Sequence, residues 1–168
     1  MERKAYIDRL YSGLEKNFDI ERDYLYKGTA FDIFGKYFIR NERYIATKKA
    51  TIYGFENNEY CFVKGLTEVN EPDVIDYAEL LKRAVTDWVN PHEEHMSSMI
   101  TGVMVLEKCP CNDVIKFVEN FKFHKSFAFG FRGWADIRLV LVLLDEGKVI
   151  INKKGKEVKN FYQSILPK

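Results

Sequence analysis

One run of residues, Ile137–Leu144, constrains the fold more than any other part of the chain. It is apolar except for Arg138, and the residues Asp145-Glu146-Gly147-Lys148 that follow it are typical of a hairpin turn. A nearly unbroken run of Leu and Val that ends at turn residues predicts a strand buried on both faces of a sheet. Asp136 and Arg138 at the start of such a strand must be paired or lie in a cleft. We therefore expect a polar site at the centre of the fold.

The remaining periodicity predicts an α+β fold in a single domain, residues 1–168, with helices packed on a largely antiparallel sheet of about six or seven strands. The predicted element order is α-β-β-β-α-β-α-β-β-β-α. Helices are predicted at 3–18, from Pro72 onward, after Asn112-Asp113 and at 156–165, and strands at 24–66 (a meander of three), 99–106, 123–131, 135–144 and 149–152.

Three local patterns refine this scheme. Within the meander, Asn41-Glu42 and Glu56-Asn57-Asn58-Glu59 are the predicted turns, the first leading into a strand at Tyr44–Phe55. Asn90-Pro91 is predicted to begin a short helical turn over residues 91–97, since Asn is a good N-cap and Pro a good first helical residue. The alternating aromatic residues of the strand 123–131 are predicted to share one face: Phe123, Phe127, Phe129 and Phe131.

The composition excludes several classes of protein. The longest apolar run, Leu139–Leu144, is far too short to cross a bilayer, so no membrane span is expected. The charged start MERKAYIDRL has no apolar segment of a secretory signal, and cytoplasmic residence is therefore expected. Cys61, Cys109 and Cys111 are an odd number of cysteines, which argues against a disulfide framework. The pair Cys109-Pro110-Cys111 lacks the second Cys pair that a zinc site would need.

Charge is unevenly distributed along the chain. Residues 1–115 hold 15 Lys and Arg against 20 Asp and Glu, or −5, whereas residues 116–168 hold 11 against 5, or +6. The basic part includes five lysines close together: Lys148, Lys153, Lys154, Lys156 and Lys159. Such asymmetry is typical of an anion-binding face, although a solvated helix and loop would show it too, and no nucleic-acid motif accompanies it.

The three histidines are candidate metal ligands. On the predicted helical turn, His92 and His95 are three residues apart and share a face, and Glu93 adds a carboxylate beside them. The HEEH segment is not the HExxH zinc motif, because its two His lack the i, i+4 spacing. A third ligand would be His124, so a divalent-metal site requires that the two segments meet. The alternative is that these side chains make only capping and surface hydrogen bonds.

The second candidate site consists of Arg132, Asp136 and Arg138. Residues two apart in a strand point to the same face, so Asp136 is expected to pair with Arg138 or Arg132. The group is either a structural ion pair or an anion-binding clamp. A nuclease-type site that combined Asp136 with Glu146 and Lys148 is disfavoured, because a ten-residue strand separates them by roughly 30 Å. Neither a phosphate-binding glycine loop nor a G-x-S-x-G motif is present.

Three segments carry a resemblance to known sequences: PHEEHMSSMITGV, FHKSFAFGFRGWADIRLVLV and NKKGKE. They resemble a small uncharacterised family of bacterial cytosolic domains of unknown function, which implies no activity, cofactor or catalytic residue. The leading hypothesis is a binding or accessory protein with a polar pocket and an unidentified ligand or protein partner. The alternatives are a metal-dependent hydrolase or nuclease that uses the histidines, and a binder of anionic nucleic acid or membrane surfaces that uses the basic C-terminal part.

Overall fold

The computed structural model describes residues 1–44 and 52–167. Its elements follow the predicted order, and the α+β fold is confirmed. The elements are α1 (Arg3–Leu14), β1 (Asp19–Tyr26), β2 (Thr29–Tyr44), β3 (Ile52–Leu66), α2 (Glu71–Trp88), β4 (His95–Leu106), α3 (Asn112–Asn120), β5 (His124–Ser126), β6 (Trp134–Leu143), β7 (Lys148–Ile151) and α4 (Lys159–Ile165).

The seven strands of the described residues form one sheet in the order β1-β2-β3-β4-β6-β5, with β7 beside β5 on the same edge of β6. Four of its strand pairs are antiparallel, while β3/β4 and β4/β6 are parallel. The two parallel pairs follow from the connections through α2 and α3, since a crossover returns the chain to the same end of the sheet.

The strand β6 is buried on both faces, as predicted. Ile137, Leu139, Leu141 and Leu143 pack in the cluster beneath α2 and α3, whereas Val140 and Val142 pack in the cluster beneath α1 and α4. Gly102 on the neighbouring β4 permits this packing, because a Cβ there would lie 2.2 Å from Leu81 Cδ1 of α2. The sheet is thus covered by two helices on each side.

Several predicted boundaries are wrong. β2 and β3 are long strands that continue through both predicted turns, and residues 45–51 of the predicted strand Tyr44–Phe55 lie outside the described residues. No helix forms over residues 91–97: a single turn, closed by the His95 N–H and the His92 carbonyl at 3.1 Å, leads directly into β4. The predicted strand 123–131 pairs with β6 only through His124–Ser126. Its remaining residues form a loop that bends away from the sheet.

Asn152 fills the gap between β5 and β7 along the edge of β6. Its amide is 1% exposed, donates to the carbonyl oxygen of Ile137 at 3.0 Å and accepts from the backbone N–H of Leu139 at 3.1 Å. The same amide oxygen accepts from the N–H of Gly155 and so caps a short 3₁₀ turn, Lys153–Glu157. Asn152 therefore fixes the turn that brings charged side chains over the start of β6.

Candidate functional site

Arg138 is a charged side chain in the interior, on the face of β6 that α1 and α4 cover. Its guanidinium, 6% exposed, donates to Glu59 at 3.2 Å and to Glu157 at 2.6 Å. Burial raises the pKa of the neighbouring Cys61 thiol to about 12, so that thiol stays neutral and the two carboxylates balance the arginine. The expected pairing of Arg138 with Asp136 is wrong, because the guanidinium pairs instead with Glu59 and Glu157, which are distant in sequence.

Asp136 lies on the same face of β6, two residues before Arg138, and its side chain is 1% exposed. Its Oδ1 is 2.9 Å from His124 Nδ1, and its Oδ2 accepts a hydrogen bond from Lys154 Nζ at 2.8 Å. Pairing with Arg132 is also wrong, since that side chain is exposed and the residue bonds through its backbone, with its carbonyl 2.7 Å from His95 Nδ1. The candidate clamp is therefore two separate sets of ion pairs, each with one buried member and more exposed partners, and not an open pocket.

The structure does not bring the three histidines together. His92 contacts Glu56 at 2.8 Å, and the two ring nitrogens of the buried His95 contact the Arg132 carbonyl and Ser98 Oγ. His124 lies across β6 from the strand that carries His95. Among residues 1–44 and 52–167, no group of three or more His, Cys, Asp or Glu is placed to hold a metal ion, and the exposed Glu93 joins none.

Sequence reasoning missed Ser126, which extends the Asp136–His124 contact. His124 Nε2 lies 3.2 Å from Ser126 Oγ, so carboxylate, imidazole and hydroxyl form one hydrogen-bonded chain. The only signal for it in the sequence is the spacing H-x-S within a strand, which places both side chains on one face.

The loop that joins β5 to β6, Phe127–Gly133, is called the aromatic loop below. Phe129 and Phe131 are 101% and 86% exposed, and neither packs on the protein core. Ala128 and Phe129 have positive φ angles of 48° and 55°, a conformation that costs a residue with a Cβ roughly 1–2 kcal/mol. The loop thus combines local strain with two aromatic side chains in solvent.

The aromatic loop is nevertheless fixed to the sheet. The Phe127 N–H donates to the Gly133 carbonyl at 2.9 Å, and the Arg132 N–H donates to the Phe127 carbonyl at 3.2 Å. Gly133 (φ +74°) lies so close to β4 that an added Cβ would be 2.3 Å from the Met96 carbonyl oxygen. His95 completes the attachment through the Arg132 carbonyl and an edge contact with the Phe127 ring at 5.9 Å.

The surroundings of the aromatic loop are basic. Residues 120–135 contain Lys122, Lys125 and Arg132 and no Asp or Glu, and the turn Lys153–Glu157 adds three lysines and one acid, Glu157, which pairs with Arg138. The second segment reaches the first through the Lys154–Asp136–His124 contacts. The charge excess seen in the C-terminal part is therefore concentrated at this edge of the sheet.

A cavity of about 1000 Å³ lies at the other end of the sheet, beside the start of α1. It is lined by acids and bases that pair with one another, such as Arg22 with Asp8 and Arg3 with Glu107. None of the candidate residues lines it. Its lining holds six Asp and Glu side chains against Arg3, Lys4 and Arg22, so the cavity is acidic and does not favour an anionic ligand.

Comparison with known proteins yields one match. No curated protein and no solved structure matches the chain. In the part of the chain that the structure describes, no helix is long and apolar enough to cross a bilayer. A family model described as a domain of unknown function, DUF8052, matches residues 2–164. The expected bacterial origin and cytosolic location stay predictions. Because that match covers nearly its whole length, the chain belongs to the DUF8052 family.

Proposed function

We propose that this protein is a peripheral binding protein that docks on the surface of an anionic phospholipid bilayer through the aromatic loop. The exposure of Phe129 and Phe131 at the tip of a braced loop is the observation that carries the proposal. Transfer of one Phe side chain out of water contributes about 1.5–3 kcal/mol. Within the folded chain neither ring obtains this contribution, and a bilayer interface would supply it.

The charges beside the loop favour an anionic surface over a neutral one. Lys122, Lys125 and Arg132 flank the tip without any carboxylate between them in sequence, and Lys153 and Lys156 lie on the turn next to β5. Each Lys or Arg near an anionic membrane contributes about 1 kcal/mol. Lys154 contributes less, because Asp136 already holds its ammonium group.

The attachment of the loop supports a docking role over simple disorder. Two non-glycine residues in the left-handed region persist only where the surroundings hold them. Here the Gly133 approach to β4 and the His95 contact to Arg132 hold the loop base. A rigid loop loses less conformational entropy when it docks than a mobile one would.

A bilayer fits this surface better than a nucleic acid does. Proteins that bind single strands use a basic groove that follows the phosphate backbone, with aromatic rings along it. The two most exposed rings among the described residues, Phe129 and Phe131, instead lie at the tip of one loop. Cys61, Cys109 and Cys111 are all free thiols, as in a reducing compartment, so we place the protein at the cytoplasmic face of a membrane, where anionic lipids are enriched.

Co-sedimentation with lipid vesicles tests the proposal. The protein should bind vesicles that contain about one third anionic lipid, bind neutral phosphatidylcholine vesicles weakly, and dissociate as salt rises. The double variant Phe129→Ser/Phe131→Ser should lower the partition coefficient at least about tenfold, because two rings no longer leave water. Leu25→Ser, which removes a 67%-exposed apolar side chain from β1, is the matched control and should bind as the parent does.

Two results would overturn the proposal. One is equal binding of the parent and the double Phe variant to anionic vesicles, which would remove the role of the loop. The other is absence of vesicle binding together with loop-dependent binding of a single-stranded oligonucleotide or of a second protein, which would assign the rings to a different partner.

A further inference from the structure

Three side chains on two neighbouring strands have the order of groups that activates a serine. Asp136 Oδ1 is 2.9 Å from His124 Nδ1, and His124 Nε2 is 3.2 Å from Ser126 Oγ. The strand register produces this arrangement, since His124 lies opposite Asp136 and Ser126 lies two residues further on the same face of β5. In serine hydrolases the acid likewise contacts Nδ1 while Nε2 faces the nucleophile.

The environment of each group suits its place in the chain. Asp136 is buried, and Lys154 holds its second oxygen at 2.8 Å, so the carboxylate has a fixed orientation. The His124 side chain is 55% exposed and Ser126 is exposed, so a small molecule can reach both. An imidazole held between a buried carboxylate and a hydroxyl is placed to accept the hydroxyl proton.

We infer that Ser126 is a nucleophile, activated by His124 and Asp136, that accepts the acyl group of an activated carboxylic ester. Ser126 Oγ attacks the carbonyl carbon while its proton passes to His124 Nε2. The bond from carbon to the leaving oxygen then breaks, and the leaving group departs as an alcohol with that proton.

Water completes the cycle by the same route. It gives a proton to His124 and attacks the acyl carbon, and the released Ser126 oxygen recovers the proton as the carboxylic acid leaves. The aromatic loop begins at the next residue, so an apolar acyl chain is the substrate class that its exposed rings would contact. The inference does not depend on bilayer docking, and its test contains no lipid.

A fluorophosphonate probe, which phosphonylates activated serines, tests the nucleophile directly when the modified residue is mapped by mass spectrometry. Ser126 should be labelled well ahead of Ser164, an exposed serine whose hydroxyl donates to the Phe161 carbonyl and has no histidine partner. His124→Gln should slow the labelling of Ser126 about a hundredfold or more, the usual contribution of a general base. Ser164→Ala is the matched control and should leave the rate of Ser126 labelling unchanged.

Hydrolysis of p-nitrophenyl butyrate provides the second measurement, and Ser126→Ala should abolish the part of it that exceeds the rate of the heat-denatured chain. Because Ser126 is exposed, Ser126→Ala should retain the parent melting curve, and circular dichroism verifies that both variants are folded at the assay temperature. Labelling of Ser126 no faster than Ser164, or labelling that His124→Gln leaves unchanged, would overturn the inference.

Discussion

The two connections at the ends of β6 differ in what their side chains do for the fold. The turn from β6 to β7, residues 144–147, is short, and its only positive φ falls on Gly147. The aromatic loop, Phe127–Gly133, places Ala128 and Phe129 at positive φ and leaves two phenylalanine rings in solvent. The turn therefore places its positive φ on a glycine, which adopts it without strain, whereas the aromatic loop places positive φ on residues that are strained by it.

The polar groups of the turn are used within the protein. Asp145 accepts hydrogen bonds from the N–H of Cys109 at 2.7 Å and from that of Glu146 at 2.9 Å. The exposed rings of the aromatic loop have no comparable contacts with the core. Strain and apolar exposure that do not stabilise a fold are typical of surfaces that act on something else. We therefore attribute the contacts of the turn to stability, whereas the exposed rings of the aromatic loop support the proposed docking role.

The largest expected effect lies in the strand that both connections share. Leu141→Ala should lower the free energy of unfolding by about 2–5 kcal/mol, because Leu141 is fully buried at the centre of the sheet. Leu25→Ala, at an exposed site on β1, should change it by less than about 0.5 kcal/mol. Chemical denaturation measures both, and a shift below about 1 kcal/mol for Leu141→Ala would contradict the central position of β6.

A matched pair of glycine substitutions compares the two connections directly. Gly133→Ala should cost roughly 2–4 kcal/mol, because it adds a clash with the backbone of Met96 to the strain of a positive φ. Gly147→Ala meets no atom within 4 Å and should cost only the strain, about 1 kcal/mol. Equal losses in thermal or chemical unfolding would show that the aromatic loop is not held against β4.

The sequence predicted the parts of the molecule that local periodicity controls. The apolar run after Arg138 gave the doubly buried strand, and the 4, 3, 4, 3 spacing of Val74, Ala78, Leu81, Val85 and Trp88 matches α2. Whether a helix or strand is buried on one face or on both determines the spacing of its apolar residues. The element order could therefore be inferred from that spacing, without knowledge of contacts.

The sequence could not predict which groups pair across the fold. Asp136 and Arg138 are near neighbours, but the carboxylates and cations that reach them come from Glu59, Lys154 and Glu157. The alternation of Phe127, Phe129 and Phe131 is indistinguishable from that of a strand, and the positive φ angles of Ala128, Phe129 and Gly130 turn the chain away from the strand direction. The prediction that His92 and His95 share a helix face is wrong for a similar reason. Pairing of β4 with β3 from His95 onward outweighed the N-cap signal of Asn90.

Relief of strain in the aromatic loop should have a smaller effect, of opposite sign. Ala128→Gly removes the Cβ from a residue with φ of 48° and should raise the free energy of unfolding by up to about 1 kcal/mol. Ala135→Gly, in the regular backbone of β6, is the control and should lower stability. A loss of stability in Ala128→Gly would mean that the loop conformation is not strained.

The smallest expected effect concerns the turn and is a change in thiol reactivity. A hydrogen bond with Glu146, together with burial, raises the pKa of the Cys109 thiol to about 11. Alkylation proceeds through the thiolate, so Cys109 should react slowly near pH 8 while the exposed Cys111 reacts readily. Glu146→Gln should lower the pKa of Cys109 and speed its alkylation several-fold, as peptide mapping with iodoacetamide would reveal. An unchanged alkylation rate of Cys109 would show that Glu146 does not cause its raised pKa.

Depth-dependent fluorescence quenching tests the assignment of the aromatic loop most directly. Phe129→Trp and Glu146→Trp place the same reporter on the two connections, and the parent protein supplies the background of Trp88 and Trp134. With anionic vesicles that carry brominated acyl chains, Phe129→Trp should show added quenching and a blue shift, whereas Glu146→Trp should match the parent. Equal quenching of the two variants, or none in Phe129→Trp, would contradict docking through the aromatic loop.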